Sequence, residues 1–210
     1  IDYVNNPQVL DKFARQRLPE LARNPEIDLE KTMAVRPDVI FYYGMGDPRE
    51  KNEKLKATKI PVVISVDHLE ETPLARAEWI RFFAVFAGQR HKADSIFSEV
   101  EKEYLRLKKT AEAAKQHPAV FSECKFGDVW YMPGGDSYMA TLIKDAGGHY
   151  LWQDDTRSGS LPLSFEQVFA RAADADFWIN QPLTENKAAL VAQESRYANF
   201  KAFKTGQLYN

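Results

Sequence analysis

The sequence contains little of the chemistry that metal clusters and disulfides require. Its single cysteine, Cys124, excludes an internal disulfide and a thiolate cluster for zinc or iron–sulfur. The four histidines are scattered, without a His-x-x-x-His or carboxylate–histidine spacing on one predicted element. The densest acidic segment with a histidine, residues 67–71, is equally well explained as a helix-entry loop. We therefore expect no metal site built from side chains and no intrinsic cofactor.

Charge of one sign, long apolar runs and catalytic motifs are also lacking. The 28 basic and 30 acidic residues nearly cancel without a block of like charge, so nucleic acid and anionic membranes are not expected partners. No apolar run approaches the roughly 20 residues of a membrane span, so no transmembrane segment is expected. There is no Gly-x-Ser-x-Gly, no Cys–His pairing and no convergent carboxylate pair, so we expect a protein that is not an enzyme.

What the sequence does contain is a helix–strand pattern that occurs twice, in residues 28–44 and 164–180. The two copies align without a gap. The identical pairs are Glu30 and Glu166, Ala34 and Ala170, Asp38 and Asp174, and Phe41 and Phe177. Both copies begin with a helix-capping residue and end in an aromatic strand. A repeated α/β unit of this kind predicts two similar lobes.

Between the two copies, apolar residues recur every three or four positions, which places them on one face of a helix. They are Ala93, Ile96, Phe97, Val100, Tyr104, Leu107 and Ala111. At about 1.5 Å per residue, a helix from His91 to Lys115 is roughly 37 Å long, enough to join two lobes as a rigid connection. The alternative is an ordinary surface helix of one domain.

These elements predict an α/β fold of two lobes with mostly parallel sheets, joined by one long rigid helix. We assign residues 1–88 to a partial N-terminal lobe, 89–117 to the interlobe helix and 118–210 to the C-terminal lobe. The strands predicted at 38–43 and 61–66 flank a helix and form a βαβ unit. Because two strands do not make a stable parallel sheet, the first lobe is expected to be incomplete, with further strands preceding it or supplied by another molecule.

Ligands of open α/β sheets bind at the carboxyl ends of the strands, and aromatic residues dominate those ends here. Aromatic walls suit a large planar or apolar ligand, and an arginine suits an anionic edge. The alternatives are core packing for the aromatics and a solvated charge for the arginine. The candidate ligand-binding residues are Tyr42, Tyr43, Met45, Trp130, Tyr131, Trp152 and Arg157, and Met132 and Asn180 also lie at strand ends.

Six segments, in order, resemble the substrate-binding proteins of ABC importers for iron–siderophore, haem and cobalamin, in a version similar to those of Bacteroides-like bacteria. They are PDVIFYYG, KLKATKIPVV, ADSIFSEVEKEYLRL, MPGGDSYMATLIKDAGG, PLSFEQVFARAADADFWIN and KAFKTGQLYN. The resemblance covers most of residues 28–210. It implies two α/β lobes joined by one rigid helix, a ligand in the cleft between them and small closure movements. Family members extend further at both ends, so the chain resembles a truncated member.

The resemblance also implies a function. It implies a periplasmic, lipid-anchored protein that captures an iron chelate (a siderophore or haem) or a corrinoid such as cobalamin and delivers it to an ABC permease dimer. It places a ligand-facing aromatic at Tyr43 and cleft aromatics near Trp130 and Tyr131. The alternatives are a metal-ion-binding member of the same superfamily and an enzyme of related two-lobed fold, a chelatase or cluster-bearing oxidoreductase.

The same family docks on its permease through one surface glutamate per lobe. In the second lobe this matches Glu166. In the first lobe the gapless match lands one residue before Glu50, which is the nearest candidate. The alternative role for both glutamates is stabilisation of a helix N-terminus by negative charge.

Overall fold

The computed structural model describes residues 4, 6–23, 26–44, 53–181 and 186–210, and it divides into two compact units, Ile1–Leu69 and Glu70–Asn210. The helices are α1 (Pro7–Gln16), α2 (Leu29–Val35), α3 (Glu53–Ala57), α4 (Pro73–Phe86), α5 (Arg90–Glu112), α6 (Tyr138–Asp145), α7 (Phe165–Ala172), α8 (Lys187–Gln193) and α9 (Lys201–Thr205), with 3₁₀ turns at Asp67–Leu69 and Ser195–Asn199. The strands are β1 (Ala22–Arg23), β2 (Glu26–Ile27), β3 (Ile40–Tyr43), β4 (Val62–Ser65), β5 (Ala119–Ser122), β6 (Lys125–Phe126), β7 (Val129–Pro133), β8 (His149–Tyr150), β9 (Ser160–Leu163), β10 (Phe177–Ile179) and β11 (Leu208–Tyr209). The predicted α/β class is confirmed.

The first unit contains the predicted βαβ arrangement. Strands β3 and β4 pair in parallel, with Ile40 opposite Val62 and Tyr43 opposite Ser65, and α3 lies between them in the chain. Helix α2 precedes β3 and starts at Asp28, whose carboxylate accepts a hydrogen bond from the backbone N–H of Lys31 at 3.0 Å. Such a cap satisfies a donor that the first helical turn leaves without a partner.

The second unit is built around a four-stranded parallel sheet in the order β11-β10-β5-β8. Residues Val120 to Ser122 of β5 are all buried, as expected for a parallel strand covered on both faces. The strands predicted at 119–124, 177–180 and 207–209 are confirmed, each shorter than expected. Strand β8 was not predicted, because two residues after a glycine pair carry no alternating pattern.

A second, antiparallel sheet in this unit has the order β6-β7-β9. Strands β6 and β7 form a hairpin, which turns at Gly127 with a φ of 61°. The sequence predicts a turn at 126–128 and a strand from 129, but it places the preceding strand at 119–124 and does not predict β6. Strand β9 lies where the sequence predicts a loop. That prediction is wrong, since Pro162 pairs opposite Tyr131 in an edge strand, a position where the missing N–H of proline is tolerated.

The core of the second unit is an aromatic cluster under both sheets. It comprises Phe121, Trp130, Trp178, Tyr197 and Phe200, each no more than 1% exposed. The rings of Phe121 and Trp178 stack with centroids 5.1 Å apart, and Tyr197 meets Trp178 edge-on at 5.0 Å. Aromatic pairs in these geometries contribute beyond the burial of their surface. Because Phe121, Trp130 and Trp178 lie on β5, β7 and β10, the cluster packs these three strands against one another.

Helices α4 and α5 also belong to the second unit. Helix α4 begins as predicted, with Thr72 as cap and Pro73 at the first helical position. Helix α5 confirms the long helix expected after residue 91, and it buries Ala93 and Phe97. The division into units falls at residue 69, whereas the N-terminal lobe was predicted to run to residue 88. That α5 joins two lobes stays a prediction.

Candidate functional site

The carboxyl edge of the parallel sheet in the second unit carries two residues with an unusual backbone. Ser122 of β5 pairs with Ile179 of β10, and the next residues are Glu123 and Asn180. Both have a left-handed backbone, with φ of 63° and 52°. Their side chains meet, since the Asn180 amide donates to the Glu123 carboxylate with an Nδ2–Oε1 distance of 2.5 Å. The edge where ligands of such sheets bind therefore carries a hydrogen-bonded polar pair.

The Glu123 carboxyl lies in a partly desolvated position. Burial raises its pKa above the ordinary value, and the hydrogen bond from Asn180 acts in the opposite direction. Burial also raises the pKa of the neighbouring Cys124 thiol, and the negative charge of Glu123 adds to that effect. Desolvation disfavours the charged form of each acid. Cys124 itself is buried.

Behind this edge, Tyr197 and an ion-pair network contact the segments at residues 125 and 194–196. The Tyr197 hydroxyl accepts a hydrogen bond from the backbone N–H of Lys125 at 2.9 Å, and burial raises the pKa of Tyr197 to about 12. The Lys125 ammonium pairs with Glu194 at 3.1 Å. Glu194 also accepts two hydrogen bonds from the Arg196 guanidinium, at 2.8 and 2.7 Å, which lower the pKa of Glu194 to about 2.

The structure corrects the prediction that Trp130 lines a ligand cleft. Its side chain is 0% exposed, because the alternation along β7 turns Trp130 and Met132 into the core and Tyr131 outward. The indole N–H of Trp130 donates to the carbonyl oxygen of Ser122 at 3.0 Å. Trp130 therefore packs in the core and offers no surface to a ligand.

The prediction that Trp152 binds the ligand is corrected as well, because this side chain is buried. Tyr131 and Arg157 lie at the surface. Trp152 is 5% exposed and packs beside Tyr150, with ring centroids 6.1 Å apart. Tyr131 is 48% exposed. Arg157 is exposed and forms an ion pair with Asp155, with an Nη2–Oδ2 distance of 2.6 Å. A ligand role for Tyr131 or Arg157 stays a prediction.

In the first unit, the strand ends carry an aromatic pair. The exposed ring of Tyr43 stacks on His68, with centroids 4.3 Å apart and an angle of 26° between the planes. Tyr42, on the opposite face of β3, is half-buried. The sequence did not identify His68 as part of this surface, although its position just after β4 is the signal for it. Met45 lies outside the described residues.

Of the two glutamates predicted to dock on a permease, Glu166 lies on the surface and Glu50 lies outside the described residues. Glu166 is in the first turn of α7, after the capping box that Ser164 and Gln167 form. Its carboxylate pairs with Arg196 at 2.7 Å, and the Arg196 guanidinium lies 4.0 Å from the centre of the Phe165 ring. A backbone hydrogen bond and Arg196 lower the pKa of Glu166.

A cavity of about 920 Å³ lies elsewhere in the second unit, beside α5, α6 and the start of α4. Its wall contains Asp145, which accepts a hydrogen bond from the Tyr104 hydroxyl at 2.6 Å and pairs with Lys108 at 2.8 Å. None of the candidate ligand-binding residues lines it. Its polar groups therefore connect α5 to α6.

Two further observations concern the part of the chain that the structure describes. Within residues 4, 6–23, 26–44, 53–181 and 186–210, no group of three or more His, Cys, Asp or Glu side chains is arranged to hold a metal ion. In those same residues, no helix combines the length and apolar character needed to cross a membrane.

Comparison with known sequences places the chain among solute-binding proteins. A family model described as periplasmic binding protein matches residues 2–210. An uncharacterised lipoprotein of Methanocaldococcus jannaschii is 31% identical over 200 residues, which cover 94% of this chain and 48% of that protein. A second uncharacterised lipoprotein of the same organism is 30% identical over 216 residues, which cover 97% of this chain and 54% of that protein. The chain thus spans about half the length of these relatives.

Two solved structures with the same fold belong to proteins that are named for a large ligand. A periplasmic haem-binding protein from Pseudomonas aeruginosa has a TM-score of 0.71 at 19% identity, and the match covers 97% of this chain and 71% of that one. The periplasmic vitamin B12 binding protein of Vibrio cholerae has a TM-score of 0.68 at 17% identity, with 97% and 73% covered. At these identities the similarity shows the fold.

Proposed function

The chain belongs to the periplasmic binding protein family, and from this premise we propose that it captures a metal chelate for an ABC importer and delivers it to the permease dimer. The chelate is a ferric siderophore, haem or a corrinoid. The observation that carries the proposal is the family match over residues 2–210. Family and structural neighbours are solute-binding proteins and not enzymes, so binding and release constitute the activity.

The ligand class is supported by the neighbours and by the strand ends. Haem and vitamin B12, named for two neighbours, are both large metal-containing macrocycles. The stacked rings of Tyr43 and His68 offer such a ligand an exposed aromatic surface. We assign Tyr43 to the binding surface in the first unit, whereas a ligand role for Tyr42, on the opposite face of β3, and for Met45 stays a prediction. In the second unit we retain Tyr131 and Arg157, which the structure places at the surface.

The location follows from the same relatives. The two Methanocaldococcus jannaschii relatives are named lipoproteins, and the family is periplasmic. We propose that the full-length protein is lipid-anchored on the outer side of the cytoplasmic membrane. There a bound chelate is presented to the permease without loss by diffusion.

Capture is tested by equilibrium titration of the full-length protein with haemin, cyanocobalamin and a ferric siderophore. Tryptophan fluorescence reports binding, because these chelates absorb where tryptophan emits and quench buried indoles by energy transfer. Titration of N-acetyltryptophanamide corrects for light absorbed by the chelate itself. Saturable quenching by one chelate is the expected result, and the absence of saturable quenching with all three contradicts the proposal.

Delivery is tested at the exposed carboxylate of α7. Glu166 is exposed, so an arginine of the permease could form an ion pair with it in place of Arg196. Changing Glu166 to Ala, together with Glu50 to Ala, is expected to leave chelate affinity unchanged and to reduce uptake into vesicles that contain the permease. The matched control is Glu99→Ala, which removes an exposed glutamate of α5. Uptake equal to wild type in the double variant would show that Glu166 acts as a charge at a helix N-terminus.

A further inference from the structure

The left-handed backbone at Glu123 and Asn180 does not by itself explain why a glutamate occupies position 123. A left-handed backbone is adopted readily by glycine and tolerated by asparagine, whereas a glutamate in it is strained. The left-handed backbone after β5 therefore does not require a glutamate at position 123. Strained residues of this kind are concentrated at ligand-binding sites, where the surrounding structure holds them in place.

The core of the second unit holds this glutamate firmly. The Glu123 carbonyl oxygen accepts a hydrogen bond from the Trp178 indole N–H at 2.6 Å, and its backbone N–H donates to the carbonyl of Ile179 at 3.2 Å. Trp178 is 0% exposed and belongs to the aromatic cluster. With Asn180 bound to its carboxylate, Glu123 is fixed at both its main chain and its side chain. The carboxylate is therefore positioned before any ligand arrives.

No basic side chain of the described residues forms an ion pair with this carboxylate. Lys125, two residues further on, pairs with Glu194 at 3.1 Å. Arg196 is bound to Glu194 and to Glu166, at 2.7 Å in each case. Among the described residues, the hydrogen bond recorded at the Glu123 carboxylate is the one from Asn180 to Oε1. Within the part of the chain that the structure describes, the carboxylate thus retains acceptor capacity on Oε2 and has no cation to neutralise it.

From this geometry we propose that Glu123, positioned by Asn180, is the residue that discriminates between chelates by the polar groups on the rim of the macrocycle. It accepts a hydrogen bond from the N–H of a primary amide on that rim, and it repels a rim that carries carboxylates. Corrinoids have amide-bearing rims, and haem has propionate carboxylates. The inference rests on the proposed function and deepens it, because it assigns the ligand class to an amide-rimmed macrocycle.

The test compares two substitutions in the full-length protein by calorimetric titration with cyanocobalamin, haemin and ferrichrome. Glu123→Gly removes the side chain and relieves the backbone, so we expect affinity for cyanocobalamin to fall about tenfold or more while the melting temperature stays the same or rises. Glu123→Gln keeps the size of the side chain and removes its charge. The ratio of the affinity for cyanocobalamin to that for haemin should therefore fall. The control is Lys59→Gly, because Lys59 is exposed and has a φ of 60°. It relieves the same backbone strain outside the site and should leave binding unchanged.

The outcomes separate this inference from the proposed function. If both Glu123 variants bind every probe as wild type does, or if wild type prefers haemin or binds ferrichrome alone, the inference is overturned and chelate capture stands. If wild type binds none of the three, both are overturned. If Glu123→Gly does not fold by circular dichroism, the isosteric Glu123→Gln decides, and an unchanged ratio of the two affinities overturns the inference.

Discussion

In the first copy of the helix–strand repeat, α2 and β3 bury one side chain, that of Thr32. In the second copy, α7 and β10 bury four, which are Phe165, Val168, Ala172 and Trp178. The gapless alignment places Thr32 at the position of Val168 and Tyr42 at that of Trp178. The two copies therefore turn equivalent positions inward and differ in how deeply those positions are covered.

The difference arises from the neighbours of each strand. Strand β10 lies between β5 and β11, whereas β3 pairs with β4 alone among the described strands. Phe41 of β3 is 41% exposed and Ile64 of β4 is 50% exposed. Local sequence thus specifies the helix, the strand and the inward face, while burial depends on what packs against them. This contrast predicts unequal costs for equivalent substitutions.

The largest expected effect is the removal of the aromatic side chain at the aligned inward position of each strand. Trp178→Ala should lower the free energy of unfolding by about 3–5 kcal/mol, because it leaves a cavity in the aromatic cluster. Tyr42→Ala should cost about 1 kcal/mol, since Tyr42 is half-buried. Urea unfolding followed by circular dichroism measures both. Equal losses would show that the two copies are packed alike.

A smaller effect is expected in the ion-pair network beside the second copy. The Arg196 guanidinium is the main cause of the lowered pKa of Glu194, about 2 against an ordinary 4.5, so the carboxylate stabilises the fold above pH 4.5. That contribution is lost as the pH falls towards 2. Glu194→Gln should cost about 1–2 kcal/mol at neutral pH, because Arg196 and Lys125 each lose one ion-pair partner.

The same variant should flatten the fall in stability between about pH 5 and pH 2 relative to wild type. Unfolding in urea at a series of pH values measures this slope. The control is Glu99→Gln, an exposed carboxylate of α5 that should leave the slope unchanged. A slope in Glu194→Gln identical to that of wild type would contradict the assignment of this carboxylate.

The smallest difference is expected at the helix caps, where the two copies should behave alike. Asp28 and Ser164 each accept a hydrogen bond from the backbone N–H three residues on, at 3.0 and 3.2 Å. Either substitution by Ala should cost about 1 kcal/mol, because a cap acts locally and does not depend on sheet neighbours. Ser164→Thr, which keeps a hydroxyl, is the control. A loss of stability in Ser164→Ala without one in Asp28→Ala would show that the contribution of a cap also depends on how deeply its copy is buried.

Local signals in the sequence predicted much of the fold. The Ser164–Gln167 capping box, the Thr72–Pro73 helix start and the apolar spacing of α5 are contained in a few neighbouring residues, and each was confirmed. Strands β5 and β10 were predicted from short apolar runs between turn residues. Strand β9 was missed because its partner, β7, lies about thirty positions away and Pro162 argues against a strand.

The candidate site was harder to predict, because exposure depends on tertiary packing. Trp130 and Tyr131 are adjacent aromatics in one strand, and the sequence does not say which of them faces the core. The Glu123–Asn180 contact joins two strand ends through pairing between distant segments. The left-handed backbone at position 123 also lacks the glycine that normally signals this conformation in a sequence. Asn180 was identified as a strand-end residue, and its partner was not.

Capture of a chelate at the carboxyl ends of the parallel strands, as proposed above, predicts which backbone amides the ligand protects. Hydrogen–deuterium exchange of the full-length protein, with and without a saturating chelate, tests it most directly. We expect slower exchange on binding in the backbone that follows β3, β5 and β10, around Gly44, Glu123 and Asn180. Protection confined to the cavity beside α5 and α6, with no change at those three strand ends, would contradict it.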